Sequence, residues 1–305
     1  MSGRILVIKL GALGDFVQAF QPFAAIRAHH PGARITLLTT PAFADLARRS
    51  PWFDEVWPEG RPRYTDLRAN LSLVRKLRSG RFERVYDLQT SPRSSRYRWF
   101  VGHGAEWSGV AQGASHPHAN PNRNAMHTVD RQREQLEMAG IPDFPPPDLR
   151  WLDADLSALA LPPRFALLIP GASPSRPGKR WPHFPDLASR LGVPAVVAGG
   201  PGECPLADAI RQAAPDALDL TGRTSLFELA AVARRAAVAV GNDTGPTHLA
   251  AAAGCPTLSL FGDESDPARC APRGAAVSVL RQEPLPALPP DRVAEAARRL
   301  SGMLP

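Results

Sequence analysis

The segment Arg4-Ile5-Leu6-Val7-Ile8-Lys9-Leu10-Gly11-Ala12-Leu13-Gly14-Asp15 takes an apolar, β-branched run into a turn with two glycines. An unbroken apolar run, rather than strict alternation, is what a strand covered on both faces requires, and a helical period follows from about residue 16. The same strand, turn and helix order recurs along the chain. In the first half, strands are predicted at 4–9, 34–39, 84–89 and 106–110, with helices near 16–30, 42–49, 64–78 and 127–139. Residues 111–124 read as a loop. Alternation of this kind predicts an α/β fold in which parallel sheets carry helices on both faces.

Proline density marks the boundary between two such units. Ile141-Pro142-Asp143-Phe144-Pro145-Pro146-Pro147 and Leu161-Pro162-Pro163 cannot belong to helix interiors or central strands. The predicted domains are therefore 1–150 and 151–305. The second repeats the alternation, with strands at 165–169, 195–198, 217–220, 236–240, 257–261 and 275–280. A last helix, 291–300, follows the proline-rich stretch 283–290 and is free to pack back on the first domain. Open parallel sheets bind ligands beyond the carboxyl ends of their strands. The loops after Lys9, Ile169, Ala198, Val240 and Phe261 are therefore the ones to search.

Composition narrows the class of function. Of the 305 residues, 44% are hydrophobic, enough for two substantial cores. No apolar run approaches the roughly 18 residues of a membrane span, and no secretory leader pattern opens the chain. Cys204, Cys255 and Cys270 form no CxxC pair, so neither a disulfide framework nor a zinc site is expected, and a reducing cytoplasm fits. The formal charge is +7; residues 1–150 hold 21 Lys and Arg against 14 Asp and Glu, whereas residues 151–305 hold 15 of each. The excess in the first half calls for an anionic partner: nucleic acid, a phospholipid surface or a phosphorylated acceptor. Nucleic acid is disfavoured because no interleaving of basic and aromatic residues accompanies the charge.

Three loops carry candidate chemistry. After the first strand, Gly11 and Gly14 allow backbone to approach a ligand, and the helix start supplies N–H donors. The glycine spacing is not GxGxxG and the second strand does not end in an acidic residue, which disfavours a nicotinamide enzyme. Asp15 suits either a helix N-cap or a base that takes a proton from a hydroxyl. In Pro170-Gly171-Ala172-Ser173-Pro174-Ser175-Arg176-Pro177-Gly178-Lys179-Arg180-Trp181-Pro182, Ser173 offers a hydroxyl, and Lys179 and Arg180 offer positive charge for a diphosphate. In Gly241-Asn242-Asp243-Thr244-Gly245-Pro246-Thr247-His248, Pro246 marks a helix start, so Thr244 and Gly245 present donors at its positive end. Asp243, acceptor-only when ionised, suits sugar hydroxyls better than phosphate.

Taken together, Gly11–Asp15, Lys179-Arg180-Trp181-Pro182, Thr221-Gly222-Arg223-Thr224-Ser225-Leu226 and Asn242-Asp243-Thr244-Gly245-Pro246-Thr247-His248 resemble glycosyltransferase family 9, the ADP-heptose:lipopolysaccharide heptosyltransferases. Leu260-Phe261-Gly262 with Ser265-Asp266-Pro267 is similar to that family's nucleotide-side loop. The resemblance implies a GT-B fold, two Rossmann-like domains facing each other across a cleft, with acceptor on the first and nucleotide sugar on the second. It implies Asp15 as general base for inverting transfer without metal or other cofactor. Ser173, Lys179, Thr244 and Gly245 would hold the donor diphosphate, Asp243 the donor sugar, and adenine would lie near residues 221–226. Gly14, Lys9, Arg180 and His248 complete the candidate set. The implied partners are a nucleotide sugar and a lipid-linked or phosphorylated glycan acceptor, reached from the cytoplasmic face of the inner membrane. Arg93, Arg96 and Arg98 are candidates for meeting acceptor phosphates or that anionic leaflet. Alternatives are a relative using another sugar or acceptor, or a non-catalytic sugar-nucleotide binder; the presence of Asp15 favours catalysis over the latter.

Overall fold

Strand β1 (Arg4–Ile8) is buried from Ile5 onward and pairs in parallel on both sides, with β2 (Arg34–Leu38) and β4 (Arg84–Asp87). This is the central position that its unbroken apolar run predicts. The computed structural model describes residues 3–102 and 104–302. They divide into two compact units, one ending at Trp151 and the other starting at Leu152.

In the first unit β1 is followed by α1 (Leu13–Val17) and α2 (Phe20–His29), then β2, α3 (Pro41–Arg49), β3 (Glu55–Trp57) and α4 (Leu67–Ser79). After β4 come α5 (Pro92–Val101), β5 (Glu106–Gly109), β6 (His116–Pro117) and α6 (Thr128–Met138). All six strands run parallel in the order β3-β2-β1-β4-β5-β6. The helix predicted over 16–30 is broken in two. Pro22 has no N–H to give to the carbonyl of Gln18 and its ring would press on it, so Pro22 is tolerated only in the first turn of a new helix. Strands β3 and β6 were not predicted: three and two residues long, they are too short to show a period. Ser91 caps α5 through Ser94, with Pro92 in the first turn. The proline-rich 141–150 stretch belongs to this unit: Gln21 donates to Phe144 O at 3.3 Å, and Trp151 packs edge-on against Phe20 and Trp52.

The second unit comprises β7 (Ala166–Ile169), α7 (Phe184–Arg190), β8 (Ala195–Val197), α8 (Cys204–Ala213), β9 (Leu218–Asp219) and α9 (Leu226–Arg235). It continues through β10 (Val238–Asn242), α10 (Gly245–Ala252), β11 (Thr257–Phe261), α11 (Pro267–Cys270), β12 (Val277–Arg281) and α12 (Pro290–Leu300). Its parallel sheet has the order β12-β11-β10-β7-β8-β9. Read from β9 to β12, this is the same winding as the first sheet. The sequence left the last helix free to return to the first domain. Instead α12 buries Val293, Ala294 and Ala297 with Trp181, Phe184 and Leu187 in the core of its own unit. Polar clips hold it there: Arg190 Nε donates to Asp291 at 2.8 Å, and Arg298 donates to the Arg190 carbonyl at 2.9 Å.

Candidate functional site

A doubly wound sheet opens a crevice where its strand order reverses, at the carboxyl ends of the two central strands. Here those pairs are β1 with β4 and β7 with β10. The candidate loops after Lys9, Ile169 and Val240 sit at these two places.

At the first crevice, Leu10 N donates to Gln89 Oε1 at 2.8 Å and Lys9 Nζ to Leu88 O at 3.2 Å, tying the β1 turn to the end of β4. Gly11 has φ of +113°, and a Cβ there would lie 2.5 Å from the Phe43 ring. Glycine is thus demanded by both backbone and space. Asp15 is not the N-cap: Ala12 occupies that position, and Asp15 is the third residue of α1, after Gly14, and half-buried. Its carboxylate is close enough to support the charge on Lys9, whose ammonium is otherwise made a weaker base by burial and by Arg131.

Several residues of this crevice went unnoticed in the sequence. Burial pushes the Asp87 carboxyl up to about 6, against the pull of N–H groups of Thr90 and Gln89 and of Ser94. Gln135 of α6 donates to Asp87 O at 3.1 Å and Ser108 Oγ at 3.3 Å. Arg123, in the stretch read only as loop, has its pKa held below the ordinary arginine value by burial and by repulsion from Arg131, and its buried Nη2 has no hydrogen-bond partner. Lys9, Arg123 and Arg131 therefore concentrate positive charge at the carboxyl end of this sheet. Of the three arginines singled out on α5, Arg93 donates to Pro62 O at 2.8 Å and stacks on Tyr64, and Arg98 is bonded to Gly113 O. Arg96 is exposed.

The second crevice is built around Asn242 and Asp243. Asn242, fully buried, accepts from Trp181 N at 3.1 Å and donates to Pro170 O at 2.9 Å and Gly171 O at 3.1 Å. One side chain thus fixes both ends of the 170–181 loop against β10. The loop's Lys179 reaches Asp243, with Nζ 2.5 Å from Oδ2 and 3.4 Å from the main-chain oxygen. His248 Nε2 lies 3.3 Å from the other carboxylate oxygen. Burial works to raise the Asp243 pKa, but the hydrogen bonds from His248 and Lys179 and their charges win and hold it at about 2. Two of the three ammonium donors of Lys179 are used on Asp243, which leaves one for a ligand.

Thr244 is the N-cap of α10 with an extended backbone, no side-chain cap bond is made, and Gly245 is the first helical residue. The first-turn N–H groups are left to a ligand or water. Ser173 and Arg180 are brought to the same loop but are exposed, Ser173 Oγ lying 2.9 Å from Ser175 Oγ. The turn at 221–226 lies past β9, with Gly222 N donating to Gly199 O at 2.8 Å, so it borders the loop after β8. Glu264, after β11, accepts from Gly178 N at 2.9 Å and ties that loop to Lys179. Among the described residues no group of three His, Cys, Asp or Glu is placed to hold a metal ion, and no helix is long and apolar enough to cross a membrane.

Comparison with known proteins finds relatives of the whole fold. The model of glycosyltransferase family 9 (heptosyltransferase) matches residues 70–296. Lipooligosaccharide heptosyltransferase 2 of Haemophilus influenzae is 35% identical over 99 residues, 29% of this chain and 29% of that protein. Lipopolysaccharide heptosyltransferase 2 of Escherichia coli K12 is 25% identical over 86% of this chain and 83% of its own length. Among solved structures, a glycosyl transferase family 9 protein from Veillonella parvula superposes with a TM-score of 0.83 at 21% identity, over 99% of this chain and 98% of that one. The E. coli ADP-heptose lipopolysaccharide heptosyltransferase II gives 0.77 at 23% identity over 98% and 99%. The fold is GT-B.

Proposed function

The chain belongs to glycosyltransferase family 9, the heptosyltransferase family, and from that premise we propose that it transfers heptose from ADP-heptose to a lipopolysaccharide-core acceptor. The observation that carries the donor half of this reading is the Lys179–Asp243–His248 cluster at the start of α10. A diphosphate needs fixed positive charge and N–H donors. Lys179 keeps one free donor, Ser173 adds a hydroxyl, and Thr244 and Gly245 open the positive end of an eight-residue helix. Asp243, held ionised, is left to accept hydrogen bonds from the sugar hydroxyls, and Arg180 lies on the same loop. Neither metal nor cofactor enters this scheme.

On the acceptor side, Asp15 takes the proton of the attacking hydroxyl as its oxygen bonds the anomeric carbon. The bond from that carbon to the β-phosphate oxygen breaks, its electron pair leaves with ADP, and the configuration inverts. The positive charge of Lys9, Arg123 and Arg131 suits an anionic, phosphorylated or lipid-linked glycan, met at the cytoplasmic face of the inner membrane.

Thermal shift against ADP, UDP, GDP, CMP and ADP-heptose tests the donor, and transfer by Asp15→Asn tests the base. ADP and its heptose alone should stabilise the protein. Asp15→Asn should keep that shift and lose about 100-fold or more in rate. Stabilisation by UDP or GDP instead would overturn the donor, and full activity of Asp15→Asn would remove the base.

A further inference from the structure

The positive charge of this chain is concentrated in one stretch. Residues 61–101 carry 11 Lys and Arg against 3 Asp and Glu, whereas the whole chain has a net charge of only +7. The same stretch holds four of the exposed large hydrophobic side chains: Tyr64 at 65% exposure, Leu67 at 71%, Leu71 at 56% and Trp99 at 74%. Apolar groups of this size left in water among arginines call for a partner that takes both.

The helices explain how they come together. Leu73 and Leu77 of α4 and Tyr97 of α5 enter the same core cluster, and the two helices pack side by side. Their outer faces therefore form one surface. At 3.6 residues per turn, Leu67, Arg68, Leu71, Arg75 and Arg78 fall within an arc of about 100° on the side of α4 away from Leu73 and Leu77. Arg96 and Trp99, one turn apart, lie on the side of α5 away from Tyr97. Lys76 is spent on Glu59, Arg84 on Glu106 and Arg93 on Pro62 and Tyr64. Arg68, Arg75, Arg78 and Arg96 are exposed, and none of them forms an ion pair among the described residues.

We propose that the outer face of α4 and α5 docks this protein on an anionic phospholipid surface, with Leu67, Leu71 and Trp99 entering the headgroup boundary and Arg68, Arg75, Arg78 and Arg96 meeting lipid phosphates. This rests on the reading of the acceptor as lipid-linked and names the surface that would bring the enzyme to it. Interleaved leucine, tryptophan and arginine match an interface that is apolar within and negative at its rim. Nucleic acid offers the charge but gives no comparable return for burying leucines.

The test is co-sedimentation of the full chain with phosphatidylglycerol-containing vesicles and with neutral phosphatidylcholine vesicles. Binding is expected to the first, weakened by salt, and little to the second. Arg68→Gln with Arg75→Gln should weaken partitioning about fivefold for each charge removed, about twenty-five-fold together. Trp99→Ser and Leu71→Ser should each weaken it while leaving the salt dependence in place. These positions are exposed, so circular dichroism and the ADP-induced thermal shift should match the parent in every variant. Equal binding to both vesicle types, undiminished binding by the variants, or preference for duplex DNA over anionic vesicles would overturn the proposal. Loss of the ADP shift in the parent with vesicle binding intact would instead sink the donor assignment alone.

Discussion

Asp243→Asn separates the electrostatic role of this carboxylate from its shape. The ordinary value of 3.8 is lowered to about 2 in the folded protein, which corresponds to about 2 kcal/mol in favour of the ionised form. That figure is already net of burial, which acts the other way. A group whose folded pKa lies below its unfolded one contributes stability above the unfolded value and loses it as pH falls through the folded value. Asp243→Asn is therefore expected to lower the unfolding free energy by about 2 kcal/mol at neutral pH, and the deficit should shrink as pH falls from about 4 toward about 2. Because Lys179 is 14% exposed and Asp243 5%, solvent screening reduces this little. Urea unfolding followed by far-ultraviolet circular dichroism reads the loss, since five of the six tryptophans lie in the first unit and fluorescence would report mainly that unit. A cycle with Lys179→Met should give a double variant less damaged than the sum of its parts by at least about 1 kcal/mol. If Asp243→Asn matches the parent at neutral pH, or if its deficit is the same at every pH, the pairing does not stabilise the fold in the way described.

Asp87 predicts the opposite slope. Its folded pKa is raised to about 6, so the stability tied to its neutral form is complete below 3.8 and is lost as pH rises through about 6. Up to about 3 kcal/mol should disappear over that window, and Asp87→Asn should flatten the profile in urea midpoints; a parent profile without this slope would contradict it. Gly11→Ala places a Cβ 2.5 Å from the Phe43 ring at φ of +113° and should cost about 2 kcal/mol or more, read as a lower melting temperature. An unchanged melting temperature would mean that the β1 turn has room to relax.

The long strands were legible because burial on both faces leaves an uninterrupted apolar run, as in β1 and β11. The start of α10 was legible because Pro246 can stand only in a first turn. What escaped depends on contacts between distant residues. Nothing near Asp243 announces that Lys179, 64 residues earlier, will neutralise it, and nothing near Arg123 reveals the company of Arg131 and Asp87. Asp15 was ambiguous between cap and base because capping is decided by the backbone angles of Ala12, not by the presence of a carboxylate. The break between α1 and α2 was written in Pro22 and was masked by the apolar period running through it. The course of α12 could not be read, since an apolar helix face does not say which core it enters.

Both sheets are wound in one order, each with its own point of reversal. Modularity follows from that. A chain that repeats one scaffold can change the lining of one crevice by loop substitutions while the other keeps its lining, so under the proposed assignment of acceptor and donor the two choices can drift on separate schedules. The junction between Trp151 and Leu152 is then the natural place to join halves from different relatives when a new pairing of donor and acceptor is sought.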